Sequence, residues 1–480
     1  MLNSVKLRQT SVMPFALRLL PILFCCSFDF QEGPPPGHWY GTLMIKPMTF
    51  RLYLRNDGVS PQLFILSPKA NEIRLDTSFF IKDSLRFNRS DFYTEYKGLY
   101  HSESNTIQGT WIDEDHKRYP IVFNPVDPDT LIGLNPKIGQ TFEWQNPEQK
   151  SDGLRTCAAS SSDINVPLLD SLTLSIMSER YPNIQSLIIA KDDCLVYEDY
   201  FYGWKPEDLW LIQSVTKSFA SALTGIALAK GEIKNLDEPI CRYLKKYQDK
   251  ACSPQNRDIT TRQLLTMSTG LDWNELEFDY YDERNTANEC GRAPDPFECV
   301  LSRKRTTQTS LPFAYNSMNH LMVNMILKES TSMKNARELK KRLLDPLGIE
   351  EVNTGSESFG VIGDIGLTPR SMLKFGLLYL NKGMWNNEQI IPASWVKEST
   401  SPTVSLGKGE GYGYFWWTKQ FNVNDKPIEC YYAWGYGGQY IFVIPSARVV
   451  VAMTASNWIM DEKKYAFEMM ERYVLPAVVE

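Results

Sequence analysis

An abrupt change of periodicity near residue 125 limits the possible folds of this chain more than any other feature. Before it, short runs rich in β-branched and aromatic residues recur roughly every ten residues, with turn residues such as Asn56-Asp57-Gly58 between them. This pattern is typical of a small antiparallel barrel or sandwich. About nine strands are predicted, at His38–Lys46, Thr49–Arg55, Gln62–Leu66, Asn71–Leu75, Thr77–Lys82, Ser84–Asn88, Lys97–His101, Thr106–Ile112 and Tyr119–Phe123.

The chain of 480 residues is too long for one ordinary domain, so a second unit must follow the β-rich one. We assign residues 34–126 to a small antiparallel β domain and residues 127–165, which are rich in proline and polar residues, to a linker. Residues 166–480 then form the second unit, in which helical periods alternate with a few strands.

The first 28 residues have the features of an export signal. Basic residues but no acid precede Asp29, and Phe15–Phe28 is mostly apolar, yet too short and interrupted for a transmembrane span. We therefore expect residues 1–28 to be a signal peptide and the protein to be periplasmic, secreted or attached to the outer surface. Cys25 and Cys26 are candidates for a lipid anchor, although the residues before them lack the small side chain that a lipobox needs.

Charge and histidine content exclude several classes of function. The formal net charge of −6 argues against nucleic acid as the main partner, because phosphate binding needs a basic surface. The four histidines do not stand at metal-ligand spacings, so neither a histidine-built metal site nor a serine–histidine triad is expected. If the protein is a hydrolase, a residue other than histidine must move the proton.

The cysteines leave two interpretations open. Cys241 and Cys252, like Cys290 and Cys299, are close enough in sequence to bridge local loops in an oxidising compartment. Unpaired buried thiols fit the same spacing, and the pairing is not determined by sequence.

A helix beginning near Ser214 carries the strongest chemical signal. Apolar residues such as Phe219 and Leu223 recur with a helical period over Ser214–Lys230, which places Ser214 and Lys217 at positions i and i+3 on one face. The helix N-terminus favours developing negative charge, and a buried lysine can accept a proton from a serine. The alternative is an ordinary capped helix with a solvated lysine.

Further motifs follow in order, at Thr261–Trp273, Tyr315-Asn316-Ser317 and Trp434–Gln439. With the Ser214 motif, they make the region from about 170 to 476 resemble the serine β-lactamase/penicillin-binding-protein superfamily, in its class C and esterase branch. Within that branch, the region is most similar to aminohexanoate-dimer hydrolase-like enzymes. The run Gly37–Leu43 more distantly resembles the opening strand of lipocalin- and avidin-like barrels.

The resemblance implies roles for the catalytic positions. Ser214 would be the acylated nucleophile, with Lys217 and Tyr315 as its proton partners, and no metal or organic cofactor would be needed. The family has asparagine where this chain has Ser317, a change that also occurs in esterase-like and aminohexanoate-dimer hydrolase-like members. This departure makes β-lactamase activity less expected while leaving a hydrolase intact.

Residues that would contact the substrate follow from the same matching. Tyr436, Gly437 and Gly438 replace the cationic third motif of the family, and the backbone N–H of Gln439 would complete an oxyanion hole with that of Ser214. Ser317 and the loop residue Tyr280 are further candidates for substrate contact. His320, by contrast, is interpreted as a packing residue on a helix face.

These observations predict an α+β fold, with an antiparallel sheet flanked by helices and a mostly helical lobe, preceded by the small all-β barrel-like domain. The expected function is that of an exported serine hydrolase that cleaves amide or ester bonds of a small molecule through an acyl-enzyme. The alternatives are a β-lactamase or peptidoglycan DD-peptidase, and a non-catalytic binding protein on the same fold.

Overall fold

The architecture is described from a computed structural model of the chain. The structure describes residues 34–45, 48–66, 70–73, 75–89, 94–113, 116–131, 144–159, 162–278, 282–306, 308, 311–332, 338, 340–350, 365–457 and 462–479. The predicted signal peptide, the lipid-anchor candidates Cys25 and Cys26, and Tyr280 lie outside these residues.

The β-rich front of the chain forms one antiparallel sheet, and its described residues contain nine strands in the order β4-β3-β2-β1-β9-β8-β7-β6-β5. The Ser78 hydroxyl of β5 donates to the Pro61 carbonyl of β3 at 2.6 Å, so the two ends of the sheet approach each other and the sheet is barrel-like, as predicted. The strands are β1 Gly37–Ile45, β2 Met48–Asn56, β3 Pro61–Leu66, β4 Ala70–Ile73, β5 Thr77–Ile81, β6 Ser84–Arg89, β7 Thr94–His101, β8 Thr106–Ile112 and β9 Arg118–Pro125.

Large side chains fill the inside of this first sheet. Alternate residues of its strands point inward and are buried, among them Trp39, Phe87 and Phe123. The ring of Tyr96 lies against Gly98 and Gly109, where an added Cβ would stand 2.3 and 2.6 Å from the Tyr96 Oη. The interior of the first sheet is therefore filled by its own side chains.

The second sheet also has nine strands within the described residues, but their order, β10-β12-β11-β22-β21-β20-β19-β18-β17, brings together distant parts of the chain. Residues before Ser214 pair with residues after 400, as an α+β unit requires. The strands of this unit, including two small pairs outside the sheet, are β10 Arg155–Thr156, β11 Ile184–Lys191, β12 Cys194–Tyr200, β13 Trp210–Leu211, β14 Gly366–Leu367, β15 Met384–Trp385, β16 Glu388–Gln389, β17 Val404–Gly407, β18 Glu410–Tyr412, β19 Trp417–Val423, β20 Lys426–Gly435, β21 Gln439–Ile444 and β22 Val449–Ala455.

Helices surround this sheet and form the predicted lobe. The α-helices are α1 Val166–Met177, α2 Thr216–Ala229, α3 Gln248–Ala251, α4 Thr261–Leu265, α5 Thr286–Gly291, α6 Pro296–Leu301, α7 Ser317–Ser330, α8 Pro369–Leu380, α9 Ala393–Ser399, α10 Glu462–Met469 and α11 Leu475–Val478. The sequence pattern did not predict α1, α3, α5, α6 or α11. Helices α5 and α6 are short, and the side chains of Asn285 and Asp295 cap their N-termini.

The core of the second unit lies where α2 and α8 pack. Helix α8 approaches the sheet so closely that a Cβ on Gly376 would stand 2.4 Å from the Val450 Cγ1. Helix α2 is buried from Thr216 to Ala227, and Phe219 stacks on Phe375 of α8 with ring centroids 3.7 Å apart. The start of α2 is therefore held rigidly within the packed unit.

Three disulfides join parts of the second unit: Cys157–Cys194, Cys241–Cys252 and Cys290–Cys299. The two local bridges are those that the spacing allowed, whereas Cys430 is a buried free thiol. Strand β10 pairs with β12 beside the Cys157–Cys194 bridge. This part of the segment predicted as a linker therefore belongs to the second sheet.

Arg51 connects the first sheet to the loop that follows β12. The Arg51 guanidinium of β2 donates to the Tyr202 and Gly203 carbonyls, pairs with Asp208 at 3.0 Å and lies 4.5 Å from the centre of the Trp204 ring. None of the helices in the described part of the chain is both long and apolar enough to cross a membrane.

Candidate active site

The predicted nucleophile lies in a tight turn directly before α2. Ser214 is the central residue of a 3₁₀ turn, Gln213–Val215, and the α-helix begins at Thr216. Gln213 has a φ of 51°, in the left-handed region that residues other than glycine rarely adopt. Such strained positions occur often at functional sites, and this one places Ser214 at the positive end of the α2 dipole.

Lys217 is in direct contact with Ser214. Its Nζ lies 2.7 Å from the Ser214 Oγ, as the i, i+3 spacing predicted, and the lysine is only 5% exposed. The alternative of a solvated lysine on an ordinary capped helix is therefore wrong, because both the burial and the hydrogen bond exclude it.

The Tyr315-Asn316-Ser317 segment brings two more predicted residues to the same lysine. The Nζ of Lys217 lies 5.1 Å from the centre of the Tyr315 ring and donates to the Ser317 Oγ at 3.2 Å. Tyr315 is buried and stacks on Trp417. Asn316 caps α7 by accepting a hydrogen bond from the Met318 N–H, which fixes where the segment turns into the helix.

A buried carboxylate that sequence analysis missed stands behind Ser317. Glu275 is 1% exposed and accepts hydrogen bonds from the Ser317 N–H at 2.7 Å, from the Ser317 hydroxyl and from the Trp273 Nε1 at 2.9 Å. The one available signal was an acid two residues after Trp273, at which the Thr261–Trp273 motif ends. That signal is weak, because the partner is 42 residues away in sequence.

The glycine-rich hairpin between β20 and β21 packs against the nucleophile turn. A Cβ on Gly435 would stand 2.3 Å from the Ile212 carbonyl oxygen, so the backbones meet two residues before Ser214. Gly437 and Gly438 have φ values of 85° and 97°, which require glycine. The Asn457 N–H donates to the Gly437 carbonyl at 2.9 Å and fixes this turn.

The remaining predicted substrate contacts lie in the same hairpin. Tyr436 is half-buried in the turn. Gln439 begins β21 and is 1% exposed, and its side-chain amide donates to the Ala455 carbonyl at 2.6 Å. That hydrogen bond orients the Gln439 side chain away from any role with substrate and leaves its backbone as the predicted contributor to an oxyanion hole.

Two titratable groups report on the electrostatics around these residues. Burial, together with the positive charge of Lys217, holds the pKa of His320 well below its ordinary value. The His320 Nε2 lies 3.0 Å from the Asn324 Nδ2 one turn further along α7, so this histidine occupies a packing position. Burial, with smaller effects of Tyr315, Tyr432 and Glu275, raises the pKa of Tyr412 well above its ordinary value.

A cavity of 680 Å³ lies elsewhere, and its lining includes none of the predicted catalytic residues. Arg370 on its wall pairs with Glu198 and with Asp152 at 3.0 Å, so the charges of this buried network compensate one another. This cavity is therefore separate from the predicted catalytic residues around Ser214. No group of three or more histidine, cysteine, aspartate or glutamate side chains is arranged to hold a metal among the residues that the structure describes.

Comparisons with known proteins relate the second unit to a family. The Beta-lactamase family matches residues 185–467. The chain is similar to the 6-aminohexanoate-dimer hydrolase of Paenarthrobacter ureafaciens, with 22% identity over 267 residues, which are 51% of this chain and 66% of that relative. The comparison therefore covers slightly less than two-thirds of the length of that relative.

Solved structures share the fold at low identity. A protein assigned as a 6-aminohexanoate-dimer hydrolase from Bacillus anthracis has a TM-score of 0.52 and 20% identity, covering 62% of this chain and 79% of its own. The octameric penicillin-binding protein homologue from Pyrococcus abyssi has a TM-score of 0.50 and 19% identity, covering 64% and 77%. Since the family match spans more than half of the residues and the fold agrees, this chain belongs to the Beta-lactamase family, among serine hydrolases of the β-lactamase fold.

Proposed function

We propose that this protein is an exported hydrolase that cleaves an amide or ester bond of a small molecule through an acyl-enzyme on Ser214. The observation that carries the proposal is the 2.7 Å contact between the Lys217 Nζ and the Ser214 Oγ at the start of a buried helix. A serine alone is a weak nucleophile, and an adjacent base that removes its proton is what acyl transfer requires.

The reaction follows from the positions of these groups. The Ser214 Oγ attacks the substrate carbonyl carbon while its proton passes to Lys217, and Tyr315 beside the lysine relays this proton onward. The backbone N–H groups of Ser214 and Gln439 hold the resulting oxyanion. The C–N or C–O bond then breaks, the leaving group takes the proton through Tyr315, and water hydrolyses the Ser214 ester to release the acid.

A small linear amide is the substrate class that we favour. The similar protein from Paenarthrobacter ureafaciens is named for hydrolysis of a 6-aminohexanoate dimer, in which an amide joins two amino acids. This chain has no cationic side chain at Tyr436-Gly437-Gly438, where a β-lactam carboxylate would need one, and Ser317 stands where the family has asparagine. Both changes favour an amidase or esterase over a β-lactamase or DD-peptidase.

Active-site labelling tests this proposal. A fluorophosphonate should label the wild-type protein and Ser171→Ala, which removes an exposed serine of α1, but should not label Ser214→Ala. No labelling of folded wild-type protein would leave the non-catalytic binding protein as the better interpretation, and persistent labelling of Ser214→Ala would place the nucleophile elsewhere. Rapid turnover of a fluorescent penicillin would instead favour the β-lactamase.

Export is the second part of the proposal. It is supported by the basic and apolar residues within 1–28 and by disulfides such as Cys157–Cys194, since such bonds persist in oxidising compartments. Mass spectrometry of protein from an exporting host should find a mature chain that begins near Asp29. A mature chain that begins at Cys25 or Cys26 with an added lipid mass would support the anchor, and an intact residue 1 would contradict export.

A further inference from the structure

Glu275 is a buried acid with a defined set of donors. Its carboxylate accepts hydrogen bonds from the Ser317 N–H, from the Ser317 hydroxyl and from the Trp273 indole. Removing a carboxylate from water is costly unless hydrogen bonds and a nearby positive charge compensate. The Ser317 hydroxyl that donates to Glu275 in turn accepts a hydrogen bond from the Lys217 Nζ.

The direction of this chain of hydrogen bonds is determined by proton count. A serine hydroxyl has one hydrogen and can accept further bonds on its oxygen. The Ser317 hydroxyl donates this hydrogen to the Glu275 carboxylate. The Ser317 oxygen is then left as an acceptor for an N–H of Lys217, at 3.2 Å.

We propose that Glu275 is a positioning residue that, through Ser317, orients Lys217 for proton transfer from Ser214. To accept the Ser214 proton, the lysine nitrogen must direct its lone pair at the Ser214 Oγ, so its N–H groups must be bound elsewhere. Ser317 provides such an acceptor only while Glu275 holds the Ser317 hydrogen. Ser317 thus acts on the lysine, and we do not assign it to the substrate. This inference rests on the proposed function.

Substitution of the Glu275 carboxylate distinguishes an effect on the orientation of Lys217 from an effect on packing around Glu275. Glu275→Gln keeps the shape, but the amide NH₂ can donate to the Ser317 oxygen, which releases the hydroxyl hydrogen towards Lys217. With p-nitrophenyl acetate as substrate, we expect kcat to fall on the order of 10²-fold, the cost of misplacing a catalytic group by about 1 Å. KM should stay within about threefold of the wild-type value, because Glu275 does not contact the substrate. Glu277→Gln, an exposed acid in the same loop, is the matched control and should behave as wild type.

Variants of Ser317 test the same chain of hydrogen bonds from its other end. Ser317→Ala removes the hydroxyl and should lower kcat as Glu275→Gln does, whereas Ser317→Thr keeps a hydroxyl and should restore most of the rate. The double variant Glu275→Gln/Ser317→Ala should be no slower than the slower single variant, since both changes interrupt one path.

The outcomes are distinguishable from failure of the proposed function. If wild-type protein is not labelled at Ser214, the proposed function fails. If wild type is labelled but Glu275→Gln retains its kcat, or the two single effects multiply in the double variant, the positioning role is overturned. If thermal melting shows that Glu275→Gln does not fold, the two Ser317 variants provide the test. A higher kcat for Ser317→Thr than for Ser317→Ala supports the positioning role, and equal kcat values for the two variants overturn it.

Discussion

The two nine-stranded sheets of the described residues differ in how their strands come together. In the first sheet most neighbours are consecutive along the chain, and the interior is filled by side chains of the same strands. In the second sheet, β11 pairs with β22 across about 260 residues of chain, and helices and loops enter from between. A sheet of consecutive strands whose interior is filled by its own side chains offers little space for a functional site. Pairing of distant segments in the second unit brings the glycine-rich hairpin against the turn that carries Ser214.

The largest difference between the two units is expected in the rate of fluorophosphonate labelling when one lysine is removed from each. Lys217→Ala deletes the proposed base, so fluorophosphonate labelling should fall by roughly 10²- to 10⁴-fold, the range of general base catalysis. Lys97→Ala removes a half-exposed cation of β7 that pairs with Glu95 and should leave the labelling rate unchanged. A large loss with Lys97→Ala would break the functional contrast between the sheets.

A matched pair of glycines sharpens the comparison. An added Cβ would stand 2.3 Å from the Ile212 carbonyl oxygen in Gly435→Ala and 2.4 Å from the Lys97 carbonyl oxygen in Gly109→Ala. Both substitutions should lower the melting temperature, because backbone must move in each. Only Gly435→Ala, which displaces the nucleophile turn, should also slow labelling, on the order of 10²-fold. Equal slowing by Gly109→Ala at a temperature where both fold would contradict this expectation.

Reduction should destabilise one sheet and not the other. The disulfides Cys157–Cys194, Cys241–Cys252 and Cys290–Cys299 belong to the second unit, and residues 34–126 contain no cysteine. Each native bridge contributes about 2–5 kcal/mol to the free energy of unfolding. Calorimetry with and without reductant should show that reduction lowers the melting temperature of the second unit. The melting temperature of the first sheet should not change. A single transition that shifts as a whole would show that the sheets unfold together.

The second sheet should also have a pH-dependent stability that Asp199 of β12 causes. Burial raises the pKa of Asp199 to about 6 from 3.8. Since the folded state then binds the proton more tightly than the unfolded state, stability should fall as the pH rises from about 4 to 6, by at most about 1.4 kcal/mol per pH unit. In Asp199→Asn, the free energy of unfolding measured by urea denaturation should no longer fall between about pH 4 and 6. If the variant shows the same pH dependence as wild type, Asp199 is not its cause.

The smallest effect is expected at the contact between the first sheet and the loop that follows β12. Arg51→Ala removes an ion pair with Asp208 and a cation–π contact with Trp204, each worth about 1 kcal/mol or less when partly exposed. Hydrogen exchange at residues 202–208 should quicken, with labelling at Ser214 within twofold of wild type as a rough bound. Slower labelling beyond that bound would show that the first sheet supports the active site.

Much of the fold could be predicted from short stretches of the sequence. All nine strands of the first sheet follow from alternation and turn residues, because each lies next to its sequence neighbour. Helices α5 and α6 were missed since they are only six residues long, too short for a hydrophobic period, and a cap and a disulfide stabilise them instead. Strand β10 was missed for the same reason: its two residues form a strand only by pairing with β12.

The sequence by itself determined the positions that could do chemistry. Ser214 and Lys217 share one helix, so their spacing predicted their contact, and the motif at Tyr315 indicated a third partner. Only the tertiary structure decided that Glu275 stands behind Ser317 and that Gly435 lies against Ile212. The physical reason is that helical spacing is set by neighbouring residues, whereas a buried carboxylate finds its donors only when distant segments close around it and exclude water.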